Sequence, residues 1–353
     1  MLNLTLNQSS SVIVEKTGSV QAIVLNRPEA LNSLSYTMVD DLQVAVGRAQ
    51  RDDTVRLLLF YGLGDRGFCA GGDVKAMARD VREGRVEQAL HFLSREYALD
   101  LAIHRFPKPV VVLADGITMG GGLGLAAGAD IVVATERTRM AMPETRIGFF
   151  PDVGATGWLF EKCPPGYAEL LGLTGYEAIG AESVRLGLTT HLVHSRNLPE
   201  LLEYLTHPPA GFELEKADAL EQIAAGLDSF TIKEIPFNPK MDEWVHTYFD
   251  GKDSIPDLLA DLRQCTLFSD HCRGIFQRLS ERSPTALTVT LKLLRHNRGR
   301  PLEEVFKTDL QAARFLLNHR DYLEGVRARL IDKDDRPRWQ PDNLEDMKIR
   351  WEP

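Results

Sequence analysis

The chain has 353 residues, 44% of them apolar, enough to bury a full core in one large domain with a substantial extension. A formal charge of −9 argues against broad nucleic-acid binding and leaves room for a local basic cluster facing a small anion. Four cysteines in no CxxC pair and nine histidines with no HExxH point to neither a zinc site nor a disulfide framework, and His191 and His194 in "HLVH" read as a strand-to-loop surface.

The start, "MLNLTLNQSSSVIVEK", lacks the basic region and apolar run of a secretory signal and the arginines of a transit peptide. No segment approaches a membrane span, so the expected compartment is the cytoplasm. "SVIVEKTGSVQAIVLNRP" alternates apolar and polar residues around Thr17-Gly18 and predicts an antiparallel hairpin. Met38, Leu42, Ala45 and Ala49 then recur at helical spacing, and "VRLLLFYG" (55–62) reads as a buried strand. The alternation continues with a helix over 86–104, a strand over 108–116, a short helix after three glycines, and a strand over 129–135. Strands that are apolar throughout are covered on both faces, which predicts an α/β core.

Near residue 205 the rhythm breaks at "THPPAGFELEKADALEQ", and the rest reads mostly as helix and loop. Residues 1–205 are expected to form the α/β core and 206–353 a mainly helical region for packing or assembly. Ser283-Pro284 marks a helix start and Gly299 a stop. Pro301 opens a second helix with Leu302, Phe306, Leu310, Ala313 and Leu317 on one face, and a third carries Leu323, Val326 and Leu330.

Three stretches carry chemistry. "GFCAGGDVKAM" (67–77) and the glycines Gly120 to Gly122 each follow the carboxyl end of a strand, where open α/β sheets place ligands. Glycine lets a backbone N–H approach a ligand closely, and two such groups converging on one point stabilise an oxyanion. The third stretch, "AMPETRIGFFPDVG" (141–154), sets Glu144 and Asp152 among apolar residues, where a carboxyl holds its proton more tightly and suits acid–base or nucleophilic work. Structural roles compete: either glycine turn is compatible with a helix entry, Asp152 with a helix cap, and Glu144 with a pair to Arg146 or Arg137.

"FCAGGD", "GITMGGGLGLAAGADIVVAT" and "MAMPETRIGFFPDVG" resemble the crotonase superfamily of acyl-CoA enzymes, above all its 3-hydroxyisobutyryl-CoA hydrolase branch. "NRPEALNSLS", "SPTALTVTLKLLR" and "EGVRARLIDKDDRPRW" fit the same branch, so the likeness runs from about residue 12 to 345. It implies a crotonase-like spiral of ββα units with a helical C-terminal region. It also implies oxyanion-hole amides at Gly72 and Gly121 and catalytic carboxylates at Glu144 and Asp152. A substrate-contacting acid falls on Glu96, which from the sequence alone reads as a solvated helix residue. Ala70, Asp73, Arg27 and Lys75 beside the motifs are substrate-binding candidates, the last two for the phosphates of coenzyme A.

The implied reaction is hydrolysis of a short 3-hydroxyacyl-CoA, foremost 3-hydroxyisobutyryl-CoA of valine degradation, with no metal or cofactor beyond the CoA of the substrate. The acyl-CoA is the expected partner, and a homo-oligomer is compatible with the family. Enoyl-CoA hydratases and isomerases, the alternative, resemble the chain through the glycines but typically place a glutamate where it has Gly124. "GLGLAAG" (122–128) also has a loose dinucleotide-binding form without a well-placed ribose-binding acid, Glu144 being claimed by the "MPET" match. No GxSxG occurs.

Overall fold

A computed structural model describes residues 10–207, 215–265, 269–342 and 351–353. The first residues of the chain and part of the "THPPAGFEL" stretch lie outside these. The described strands are β1 (Val12–Thr17), β2 (Val20–Leu25), β3 (Leu57–Gly62), β4 (Gly67–Cys69), β5 (Val110–Ala114), β6 (Ile117–Met119), β7 (Ile131–Thr135), β8 (Arg139–Ala141), β9 (Ala178–Ile179) and β10 (His191–Val193). They form a large sheet in the order β1-β2-β3-β5-β7-β10 and a small one in the order β4-β6-β8-β9. The predicted hairpin is β1–β2, with Gly18 at φ 57° in its turn, and from β2 onward the large sheet is parallel.

Each pass of the chain gives one strand to each sheet: β3 then β4, β5 then β6, β7 then β8. Helices follow each pair, namely α2 (Val74–Arg82) and α3 (Val86–His104), then α4 (Gly121–Ala127), then α5 (Ala155–Lys162), while α1 (Tyr36–Arg51) joins β2 to β3. This is the expected spiral of ββα units.

Strand side chains alternate between two apolar layers, so both faces of the large sheet must be covered. Leu58 and Phe60 enter the larger cluster with Leu42 of α1 and Leu93 of α3. Leu57 and Leu59 face the other way, onto Leu201, Leu205, Ala219 and Ile223 from the helices Leu198–Thr206 and Lys216–Leu227.

The later helices start where the sequence places them. The Ser283 hydroxyl accepts from the Ala286 N–H at 3.1 Å and caps the helix Pro284–Asn297. Gly299 follows at φ 73°, and Pro301 precedes the helix Leu302–Leu317. Arg320–Val326 then runs into a π turn, Arg327–Ile331. This last segment packs on residues 147–148 because two glycines allow it. A Cβ on Gly325 would lie 2.4 Å from the Ile147 carbonyl carbon, and one on Gly148 2.5 Å from the Asp321 carbonyl oxygen.

One expectation is corrected. Cys265 and Cys272 form a disulfide, with Cα atoms 6.4 Å apart. Their spacing matches no motif; two chain segments folding back on each other bring the Cα atoms within bridging range, which spacing alone does not encode.

Candidate active site

Three parallel strands of the small sheet, β4, β6 and β8, deliver three loops to one place. After β4 comes Ala70–Asp73, after β6 Gly120–Gly122, and after β8 Pro143–Glu144. Gly71 (φ 95°) and Gly120 (φ 51°) adopt backbone angles that side-chain-bearing residues rarely take, which turns both loops sharply. Gly122 answers a different need: a Cβ there would lie 2.2 Å from the Cys69 carbonyl oxygen, so α4 packs directly on β4. The "GLGLAAG" pattern is therefore a buried helix face.

The two turns approach each other. A Cβ on Gly121 would stand 3.5 Å from the Gly72 amide nitrogen, and one on Gly71 3.2 Å from the Gly121 amide nitrogen. Among the described residues neither the Gly72 nor the Gly121 N–H donates to a backbone carbonyl. For Gly121 this follows from its place at the start of α4, where the helix supplies no acceptor.

Acids close in from three elements. Glu96 on α3 is 2% exposed, Glu144 8% and Asp152 7%. A Cβ on Gly121 would meet Glu96 Oε1 at 2.1 Å, and one on Gly120 would meet Glu144 Oε1 at 2.8 Å. Gly72, Gly121, Glu96, Glu144, Asp152 and Tyr322 line one cavity of ≈290 Å³. Ala70 lines it too.

The competing structural roles are taken by other groups. Arg146 pairs with Asp335 and Arg137 with Asp115. Gly154 precedes α5 without a side-chain cap, and the Asp152 carboxylate instead accepts from the Tyr97 hydroxyl at 2.9 Å. Glu96 is buried, contrary to its reading as a solvated helix residue, because α3 lies under both glycine loops.

Burial sets the electrostatics. It raises the proton affinity of Glu96 and Glu144 well above the usual carboxylate range, and the nearby Asp152 charge adds to the effect in both. Burial also pushes Asp152 up to about 7, against the opposing hydrogen bonds from Tyr97 and its own backbone. Among the described residues Glu96 Oε1 and Glu144 Oε2 have no hydrogen-bond partner. Buried carboxyls that hold their protons more tightly than usual, on the wall of a cavity, are equipped to exchange protons with a ligand.

The remaining sequence candidates stand aside from the cavity. Asp73 caps α2, accepting from the Ala76 N–H at 3.2 Å, and lies 3.5 Å from Arg27. Arg27 also donates to the Ser33 carbonyl at 2.7 Å, and Lys75 is exposed on α2. His191 opens β10, and among the described residues no cluster of three or more metal-ligating side chains occurs.

Several residues escaped the sequence reading. Tyr97 and Tyr322 are buried aromatic polar groups, and Asp100 and Asp309 are fully buried acids. Asp100 lies one helical turn beyond Glu96, and neither of its carboxyl oxygens has a hydrogen-bond partner among the described residues. Its signal was an acid inside the otherwise apolar "YALDLAI". Asp309 accepts from the Gly154 N–H at 2.9 Å and so braces the turn at Val153, whose φ of 51° is unusual for a β-branched residue.

The enoyl-CoA hydratase/isomerase family model matches residues 20–351. The chain belongs to this family. Within the family it is 35% identical over 348 residues to the 3-hydroxyisobutyryl-CoA hydrolase, mitochondrial, of Gallus gallus, covering 97% of this chain and 87% of that one. The 3-hydroxyisobutyryl-CoA hydrolase 1 of Arabidopsis thaliana is 33% identical over 350 residues, 96% of this chain and 89% of the relative. A solved family structure, a carnitinyl-CoA dehydratase from Mycobacterium thermoresistibile, superposes with a TM-score of 0.85 at 32% identity, covering 96% of this chain and 94% of that one. The crotonase fold expected from the motifs is the fold observed.

Proposed function

We infer that the protein hydrolyses a short 3-hydroxyacyl-CoA thioester, foremost 3-hydroxyisobutyryl-CoA, to the free hydroxy acid and coenzyme A. One observation carries the chemistry: two amides from separate glycine turns, neither given to a backbone carbonyl among the described residues, and three buried acids share a single cavity. Near-full-length kinship with named hydrolases supports the substrate.

In this reading Gly72 and Gly121 donate to the thioester oxygen as it gains charge; one such donor is typically worth about 10²–10³ in rate. Glu144 either attacks the carbonyl carbon, giving a mixed anhydride that water then opens, or removes a proton from an attacking water. In both routes the C–S bond breaks, water supplies the new carboxyl oxygen, and the sulfur leaves with a proton. Asp152, poised near neutrality, positions the water or the substrate hydroxyl and manages protons, and Glu96 lies at the acyl end. A thioester is already activated, so the chemistry calls for no cofactor beyond the CoA it carries.

Hydration of an enoyl-CoA is the second reading, suggested by the solved dehydratase. Position 124 weighs against it. A Cβ there would lie 2.7 Å from Val153 Cβ and 3.1 Å from Asp100 Oδ2, leaving no room for a glutamate. Thiol release across a panel of short acyl-CoAs, with loss of enoyl absorbance from crotonyl-CoA followed in parallel, separates the two. Hydration without thiol release would overturn the hydrolase assignment.

Residues 1–205 would be the catalytic core in this scheme. Residues 206–353 would be the packing region that also walls the cavity, through Tyr322 and Arg329. No described helix is long and apolar enough to cross a membrane. A cytoplasmic location completes the proposal, to be tested by cell fractionation, and light scattering decides between a monomer and a homo-oligomer; the Gallus gallus relative carries "mitochondrial" in its name.

A further inference from the structure

The cavity wall has a second chemical character. Arg146 and Arg329 both line it. The Arg146 side chain is 47% exposed, and the Arg329 side chain, held in the π turn, is 6% exposed. Both reach one carboxylate, Asp335, at 3.3 and 2.7 Å, so two cations share one anion.

Arg282, 7% exposed, donates to the Thr174 carbonyl at 2.9 Å and has no carboxylate within ion-pair distance among the described residues. Burial and the neighbouring charges of Arg146, Arg278 and Arg329 lower its proton affinity to about 9, against the weaker pull of Glu281. The Nε atoms of Arg282 and Arg329 are buried without a hydrogen-bond partner among the described residues. Glu177, also on the cavity wall, is engaged by Arg139 at 2.9 Å.

Clustering guanidinium groups with so few anions is unfavourable unless something completes them, and their planar forks match phosphate oxygens. The overall acidic balance makes this cluster a local exception, the kind of field that draws an anion to one spot. Arg27 and Lys75 do not line the cavity, whereas Arg146 and Arg329 do. The arginines stand on one wall of the cavity and the acids beside Gly72 and Gly121 supply no cation, so the cavity favours one orientation of a ligand that is neutral at one end and polyanionic at the other.

We propose that Arg146 and Arg329, backed by Arg282, form a phosphate-binding site at the rim of the catalytic cavity that holds the pyrophosphate of the coenzyme A half of the substrate. The anion class follows from the arginines; its assignment to coenzyme A rests on the acyl-CoA reading above.

The test compares hydrolysis of a short acyl-CoA with that of the matching acyl-pantetheine, which lacks the phosphates. It uses the full chain and two variants, Arg146→Ala and Arg329→Lys. Arg146 is partly exposed, so its variant tests the site without disturbing the core. The expected result is that the preference for the CoA thioester, read as the ratio of kcat/KM values, falls on the order of ten-fold in Arg146→Ala, the loss of one charge-assisted hydrogen bond. A smaller fall is expected in Arg329→Lys, and added salt should erode the wild-type preference. Pyrophosphate alone should raise the Tm of the wild type and not of Arg146→Ala.

An unchanged ratio, with both thioesters slowed alike, makes the arginines structural and overturns the proposal while leaving the hydrolase reading intact. Stabilisation by pyrophosphate with an unchanged ratio means the site takes free phosphate, which overturns the coenzyme A assignment. If the wild type hydrolyses neither thioester, the functional reading fails, and the pyrophosphate Tm shift alone decides the anion site.

Discussion

The hydroxyl of Tyr97, next in sequence to Glu96, donates to Asp152 Oδ2 at 2.9 Å and ties α3 to the loop before α5. It opposes the burial that otherwise raises the proton affinity of Asp152. Tyr97→Phe removes this donor, so Asp152 should hold its proton more tightly. The limb of the pH–kcat/KM profile set by Asp152 should move to higher pH by about one unit, the equivalent of one hydrogen bond. An unmoved limb would show that Asp152 does not titrate in the step observed.

Glu144→Gln keeps the size of the side chain and removes its base. Thiol release should fall by about 10²–10⁴-fold, while CoA binding measured by calorimetry persists. Near-normal turnover in this variant would remove Glu144 from the mechanism.

Gly121→Ala would drive a methyl into Glu96 Oε1. Shifting either group misaligns the amide and the acid together, and kcat should drop by roughly 10²-fold. Gly274 is the control. It lies inside the helix Ser269–Ser280 with nothing within 4 Å of a Cβ, so Gly274→Ala should leave the kinetics alone and stabilise the helix by about 1 kcal/mol. Equal kinetic effects from the two substitutions would contradict the close approach at Gly121.

The buried acids also predict how stability depends on pH. Asp152 holds its proton up to about 7 in the folded chain, against an ordinary 3.8. Between these values the folded state binds more protons than the unfolded one, so stability is fully present below about pH 4 and falls as pH rises toward 7. Asp152→Asn should therefore match the wild type near pH 4 and exceed it at pH 8, by at most on the order of 4 kcal/mol. Glu96 and Glu144 act in the same direction. Urea melts at the two pH values give the answer, and a wild type equally stable at both would contradict the burial argument.

What the sequence disclosed depended on whether a residue type was forced by local geometry. Gly71, Gly120 and Gly122 had to be glycine, because of backbone angle or contact, and so stood out as motifs. The long strands and helices were visible through their period. Strands β4, β6, β8 and β9, at two or three residues each, are too short to show one. Glu96, Asp100 and Asp309 look like any helix acid until the fold shows which face is covered. Only the likeness to known proteins singled out Glu96. The arginine cluster joins residues 146, 282 and 329, distant in the chain, and the disulfide follows no spacing rule.

The loops that carry residues 72, 121 and 144 hang from adjacent hydrogen-bonded strands of the small sheet, while the intervening helices attach at their far ends. Lengthening or shortening those helices would leave the ledge that holds residues 72, 121 and 144 where it is. Such a scaffold separates the placement of these proposed reacting groups from the shape of the walls around them. New walls, such as the one built here by Tyr322 and Arg329, can be exchanged for others while the amides keep their aim.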